Sequence, residues 1–135
     1  MRKLLSALFV VIVLALTGWA TEISTFSGSA SSNNPFHVAF TTYRDGNVTA
    51  RAQWVPKNGQ EYVLHLKRLA DPNDTFSYTH ICQVYTAQTN PAPPPPGDWA
   101  CTIPNGPAGF WTVDFRPTSG KVSNVVVTVT AETDE

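Results

Sequence analysis

The chain has 135 residues, and its 9 Lys and Arg against 10 Asp and Glu give a formal charge of −1. That balance argues against a nucleic-acid binder or a polybasic membrane ligand, and the length suits one hydrophobic core rather than two. Charged residues make up only 14% of the chain, well under the ~25% of ordinary soluble domains, so Thr, Ser, Asn and Gln supply much of the polar surface.

In chain order, the first signal is for export. Arg2 and Lys3 form a short positive segment, Leu4 to Leu16 is apolar except for Ser6, and Thr17-Gly18-Trp19-Ala20 ends it with small residues at the two positions a signal peptidase reads. The apolar run is about 13 residues, short of the ~20 that a membrane-spanning helix needs. A cleavable leader over residues 1–20 is therefore expected, followed by a single domain over 21–135. Leu16-Thr17-Gly18 resembles the start of a lipoprotein signal, but Trp19 stands where that signal needs Cys. Without Arg2 and Lys3, 7 basic residues face 10 acidic ones, a formal charge of −3.

Period-two alternation, the mark of strands with one buried face, dominates the rest. A first strand is expected around Ile23 to Ser27. Phe36, Val38 and Phe40 alternate with His37, Ala39 and Thr41, and Arg44-Asp45-Gly46-Asn47 then turns the chain. Val48, Ala50, Ala52 and Trp54 form the next apolar face, Pro56-Lys57-Asn58-Gly59 turns again, and Tyr62, Leu64 and Leu66 follow. Asp71-Pro72-Asn73-Asp74 breaks the chain before a strand from His80 to Tyr85. Trp99 to Ile103 reads as a short strand, Trp111, Val113 and Phe115 as another, and Val125, Val127 and Val129 as the last. No stretch after residue 20 carries helical periodicity. The expected fold class is all-β, an antiparallel β-sandwich of jelly-roll or immunoglobulin-like type.

Two features punctuate this pattern. Asn90-Pro91-Ala92-Pro93-Pro94-Pro95-Pro96-Gly97 cannot join a ladder, because proline lacks the donor, and reads as a stiff surface loop. Cys82 and Cys101 flank it. In an oxidising compartment they are expected to pair, closing a loop of about 20 residues for about 3 kcal/mol of stabilisation. A zinc site would need more ligands, and His80 is the sole histidine close to either cysteine in sequence.

Catalytic sets are sparse. There is no Gly-x-Ser-x-Gly elbow, no His-Glu-x-x-His and no phosphate-binding glycine loop. His37 and His65 fall on solvent faces by alternation, and His80 is read the same way. Asp45, Asp71, Asp74 and Asp98 fall in turns, where Asp bonds its own backbone. With Asn73 between them, Asp71 and Asp74 could offer oxygens to calcium, but their spacing favours turn chemistry. Asn47-Val48-Thr49 and Asn73-Asp74-Thr75 fit the N-glycosylation pattern. Trp54, Tyr62 and Trp111 are in phase with the core, and Phe110, out of phase with Trp111, is expected to cap an end of the sandwich or meet the second sheet. Trp99, directly after the proline loop, has two readings. With Tyr85, Pro94 and Pro95 it forms a flat binding surface for a sugar ring or a partner, or it packs over the disulfide.

Several of these pieces also resemble the bacterial pre-peptidase C-terminal domains. Ser27-Gly28-Ser29-Ala30 lies before the Phe-rich strand, Tyr62-Val63-Leu64-His65-Leu66 carries alternating leucines, and Ala108-Gly109-Phe110-Trp111-Thr112-Val113 precedes Ser119-Gly120 and Val125 to Thr130. The resemblance implies a jelly-roll-like, non-catalytic module accompanying a secreted hydrolase, concerned with secretion, stability or polymer binding. This chain departs from it in Val126 and Val127 where an aromatic is usual, in the proline-rich insertion, and in having no catalytic domain attached.

The expectation is thus a secreted, non-catalytic module without a cofactor. Its expected partner is an extracellular polysaccharide or protein, with no nucleic acid and no stable membrane insertion after the leader is removed. The rival readings are an assembly subunit whose Thr21 to Asn34 segment adds a strand to a neighbour, and a small hydrolase using dispersed Asp and His residues.

Overall fold

Eight strands account for most of the chain in the computed structural model, which describes residues 20–133. The expected leader, Ala20 apart, lies outside the described residues. The strands are β1 (Ala20–Ser31), β2 (Phe36–Thr42), β3 (Gly46–Gln53), β4 (Tyr62–Asp71), β5 (Asp74–Tyr85), β6 (Asp98–Gly106), β7 (Gly109–Pro117) and β8 (Lys121–Thr133). They form two four-stranded sheets, ordered β1-β8-β3-β6 and β2-β7-β4-β5, with every pairing antiparallel. This is the strand order of an eight-stranded jelly roll, so the sandwich expected from sequence is of that type and not immunoglobulin-like. Every connection except the β4–β5 hairpin passes from one sheet to the other.

Alternation decides what is buried. In β3, Val48, Ala50 and Ala52 face inward while Asn47, Arg51 and Gln53 are exposed. Val125, Val127 and Val129 of β8 meet Tyr62, Leu64 and Leu66 of β4 and Trp111, Val113 and Phe115 of β7 in one continuous core. Each such large apolar side chain contributes about 1.5–3 kcal/mol when fully buried. Close approach requires a glycine at 106, where a Cβ would stand 2.8 Å from the Trp111 ring, and Phe40 stacks on that ring from β2 at 6.3 Å.

The disulfide forms as expected, with Cys82 and Cys101 5.8 Å apart at Cα. It joins β5, the edge of one sheet, to β6, the edge of the other, and so closes one side of the sandwich as well as the proline loop.

Four expectations need correction. Of the two readings of Trp99, the exposed binding surface is the one to correct: the ring is fully buried, as the packing reading has it, because alternation in β6 turns it inward with Cys101 and Ile103. It meets Trp54 edge-on at 5.3 Å and Tyr62 at 6.3 Å. Phe110 neither caps the sandwich nor enters the core; it projects from the outer face of β7, opposite Thr41. The strand expected from His80 starts earlier, at Asp74, since Pro72 and Asn73 make a hairpin turn and not a longer break. The Thr21 to Asn34 segment contains β1, which pairs with β8 of its own chain from Ala20↔Thr133 to Ser31↔Lys121.

Candidate functional site

The proline loop is where the sequence suggests a binding surface. Its residues Pro94 and Pro95 are exposed, but Trp99 is not available beside them. The Trp99 indole donates to the Pro94 carbonyl at 2.9 Å, and the Trp54 amide donates to the Gly97 carbonyl at 3.0 Å. Gln88 adds two bonds, accepting from the Tyr85 amide and donating to the Pro91 carbonyl. The loop is therefore a strap over the aromatic end of the core (Trp54, Tyr62, Trp99, Phe115). Tyr85, 37% exposed, points elsewhere, onto the outer face of the β2-β7-β4-β5 sheet opposite Val63.

That face carries the stronger site. Register sets its side chains in four cross-strand rows. Nearest the proline loop stand Arg116, Val63 and Tyr85. Next come His37, Asp114, His65 and Gln83, one from each strand. Ala39, Thr112, Lys67 and Ile81 form the third row. In the fourth, Thr41 faces Phe110, and Leu69 faces Tyr78. Leu69 follows Arg68, which faces Trp111, so it falls beside Phe110; it is buried yet outside the main core cluster. Rows lie about 7 Å apart along a strand, so the face runs for about 20 Å, and Phe110 and Tyr78, two strands apart, are separated by about 10 Å.

Phe110 and Tyr78 are 45% and 47% exposed, and Lys67 Nζ lies over the Tyr78 ring at 5.5 Å. Tyr78 shares a face with Ile81 because the β4–β5 register shifts between Arg68 and Leu69, leaving Thr79 over and reversing the phase. Phe76, more exposed still, stands farther along β5 toward the hairpin.

The polar row is tied together. His37 Nδ1 and Asp114 Oδ1 are 2.6 Å apart. The hydrogen bond to Asp114 raises the His37 pKa above its ordinary value, more than burial lowers it. His65, on the other side of Asp114, moves the opposite way: burial first and the Lys67 charge second lower its pKa, against the Asp114 charge and a hydrogen bond with Gln83. Thr112, in the row below, is buried on this face, and its hydroxyl has no hydrogen-bond partner.

Elsewhere, carboxylates serve the backbone. Asp71 and Asp74 accept the amides of Asn73 and Phe76, and Asp45 accepts the Ala108 amide. Asp98 is not in a turn as expected but begins β6, where both its oxygens bind Arg51 at 2.8 and 2.6 Å; those bonds hold it below the usual carboxylate range. His80 bonds the neighbouring Thr79 hydroxyl. Among the described residues no three His, Cys, Asp or Glu side chains are grouped to hold a metal ion, and no helix is long and apolar enough to cross a membrane.

No protein-family model matches the chain, and no curated protein matches it. Solved structures do share the fold. CorA of Methylomicrobium album BG8, described as a surface-associated copper-binding protein, aligns at TM-score 0.54 and 9% identity over 81% of this chain and 92% of that one. The mitogen of Yersinia pseudotuberculosis aligns at 0.54 and 14% identity, over 86% and 91%. Tripeptidyl peptidase 2 aligns at 0.55 and 9% identity, over 90% of this chain but 10% of that one. At these identities the likeness speaks for the sandwich alone.

Proposed function

We propose that the protein is an extracytoplasmic, non-catalytic jelly-roll module that binds a polysaccharide along the outer face of the β2-β7-β4-β5 sheet. One observation carries the reading: Phe110 and Tyr78, each about half exposed, share that face with the row His37, Asp114, His65 and Gln83. Exposed aromatic rings on a single face, flanked by polar groups, mark interaction surfaces in soluble domains. A pyranose offers an apolar C–H face to a ring and hydroxyls to the histidine, amide and carboxylate groups beside it. The disulfide supports an oxidising compartment, in keeping with the expected leader. A role beside a secreted hydrolase is the form of this function that the resemblance to pre-peptidase C-terminal domains favours. The copper of the Methylomicrobium protein is not carried over, since no three His, Cys, Asp or Glu side chains are grouped to hold a metal ion among the described residues.

The test is retention of the purified protein by a panel of polysaccharides, in affinity electrophoresis. Phe110→Ala and Tyr78→Ala alter exposed side chains, so each is expected to stay within about 0.5 kcal/mol of the parent in stability while losing retention. Retention unchanged in the double variant would remove this face from consideration. Deleting Pro91 to Pro96 tests the loop surface separately, and is expected to lower stability because the Trp99 indole loses its acceptor.

A further inference from the structure

The proline loop has a second side, turned away from the core. We propose that residues 91–96 are a preformed polyproline II ligand which, with Val55 and Pro56 beside it, docks into an aromatic-lined groove of an extracytoplasmic partner protein. This partner differs in class from the ligand of the sheet face, and neither assignment depends on the other.

The sequence dictates the conformation. Residues 91–96 are all proline except Ala92. Each ring holds φ near −65°. Ala92, Pro93, Pro94 and Pro95 each precede a proline, whose ring drives them out of the α region to an extended ψ. Both torsions of Pro93, Pro94 and Pro95 are thus set to polyproline II values before any contact forms. The bonds that fasten the loop fit this helix. Gln88 Nε2 donates to the Pro91 carbonyl at 3.1 Å and the Trp99 indole to the Pro94 carbonyl at 2.9 Å. Those carbonyls are three residues apart, one polyproline II turn, so one edge of the helix is held against the body. The Trp54 amide takes the Gly97 carbonyl at 3.0 Å, where a φ of +114° ends the run. The Cys82–Cys101 bond ties the two strands from which the loop springs.

The remaining edges face solvent. Ala92, Pro94, Pro95 and Pro96 are exposed, and the carbonyls of Ala92, Pro93, Pro95 and Pro96 accept no hydrogen bond among the described residues. Covering the core uses none of these groups. The apolar surface also continues past the loop. Val55 is 77% exposed and lies between Trp54, bonded to Gly97, and the exposed Pro56, whose Cδ would stand 3.4 Å from a Cβ on Gly97. Residues 91–97 carry no charge, and Asp98 beyond them is taken up by Arg51. The surface is a stiff apolar ridge with carbonyl acceptors along it, and its prolines supply no donor. Sugar hydroxyls need partners that give as well as accept, and find few here. Flat aromatic rings with hydroxyl or indole donors at their rims match it. Because the loop is already ordered, docking avoids most of the conformational entropy that a free proline-rich peptide loses.

The experiment titrates the purified, disulfide-bonded protein against a panel of isolated SH3 and WW domains, used as probes with aromatic-lined grooves, beside a free peptide of residues 89–98. The expected result is saturable binding of at least one domain, about tenfold tighter for the folded protein than for the peptide. Binding should be unchanged between about 0.05 and 0.5 M salt, since the ridge has no charge to screen. Ala92→Glu and Val55→Glu place a charge at exposed positions, and each should lose about tenfold in affinity with thermal unfolding close to the parent's. Trp99→Phe keeps a ring in the core but removes the donor to Pro94, and should bring the affinity down toward that of the peptide. No binding across the panel, or binding by the peptide alone, would overturn the proposal, as would binding that both Glu variants leave intact. Retention on xylan lost in those two variants would give the loop to the glycan site and overturn the protein partner. Retention kept while domain binding is lost is the expected pattern. The sheet face is tested by its own variants, so a failure here leaves it standing.

Discussion

His37 and His65 stand on either side of Asp114 in one cross-strand row, and their surroundings push them in opposite directions. His37 donates to the Asp114 carboxylate, so its folded pKa lies above the ordinary value of about 6.5. A raised folded pKa means that the native state holds the proton more tightly. The stabilisation is complete below about pH 6.5 and is lost as pH rises through the folded value. His65 is half-buried on the outer face beside Lys67, and its folded pKa is lowered. It has no effect where both states are neutral, but below about pH 6.5 the unfolded chain takes up a proton that the native one resists, and stability falls. His37→Gln should therefore be most costly in mildly acid solution, its deficit against the parent shrinking toward pH 8. His65→Gln should gain on the parent as pH drops toward 5. Urea midpoints measured between about pH 5 and 8 check both, and parallel curves for the two variants would contradict this account of the row. The sequence marks both rings as solvent-facing, and that is correct. It cannot show that strands 77 residues apart bring Asp114 against His37, because register across a crossover depends on every strand between them.

At the scale of elements, period-two alternation made the strands legible, since each has one face in the core and each side of the sandwich repeats the rule. Where the phase changes, the reading failed. Thr79 is left over in the β4–β5 register, so Tyr78 joins Ile81 on the outer face, a placement that alternation alone does not show. Phe110 is out of phase with Trp111 in the sequence, yet one sheet's outer face and a cap look alike there. Trp99 shows the converse: it is simply in phase with Cys101 and Ile103, and its place after a proline-rich loop suggested a surface that the strap itself covers. The disulfide is legible from the expected leader together with the two cysteines, but the two edges that it joins are not. Because it spans β5 and β6, reducing it frees the 19-residue separation between Cys82 and Cys101 in the unfolded chain and unlatches two sheet edges in the native one. Cys82→Ser with Cys101→Ser should lower unfolding free energy by about 3 kcal/mol, the loop-closure value, measured by urea unfolding. A loss well above that would assign the excess to edges that separate without the bridge. No loss at all would mean that the strap and core hold the edges unaided.

The whole molecule is knit from contacts remote in sequence. Of the six strand pairings, only β4 with β5 is a hairpin. The first strand pairs with the last, β2 with β7, β3 with both β6 and β8, and β4 with β7. None of these pairs can form until a long loop has been closed, and the core residues of each sheet stay exposed until the other sheet covers them. Folding should accordingly be slow, in the range of milliseconds to seconds typical of sandwiches dominated by non-local pairing. Nucleation should favour the one local unit, the β4–β5 hairpin, docking β7 through Leu64↔Phe115 and Leu66↔Val113. Leu66→Ala should then slow refolding, whereas Val129→Ala, in a strand whose partners β1 and β3 come from far along the chain, should chiefly speed unfolding. Stopped-flow refolding of the two variants, followed by tryptophan fluorescence, distinguishes this order of assembly from one that starts at β8, in which the two kinetic effects would exchange places.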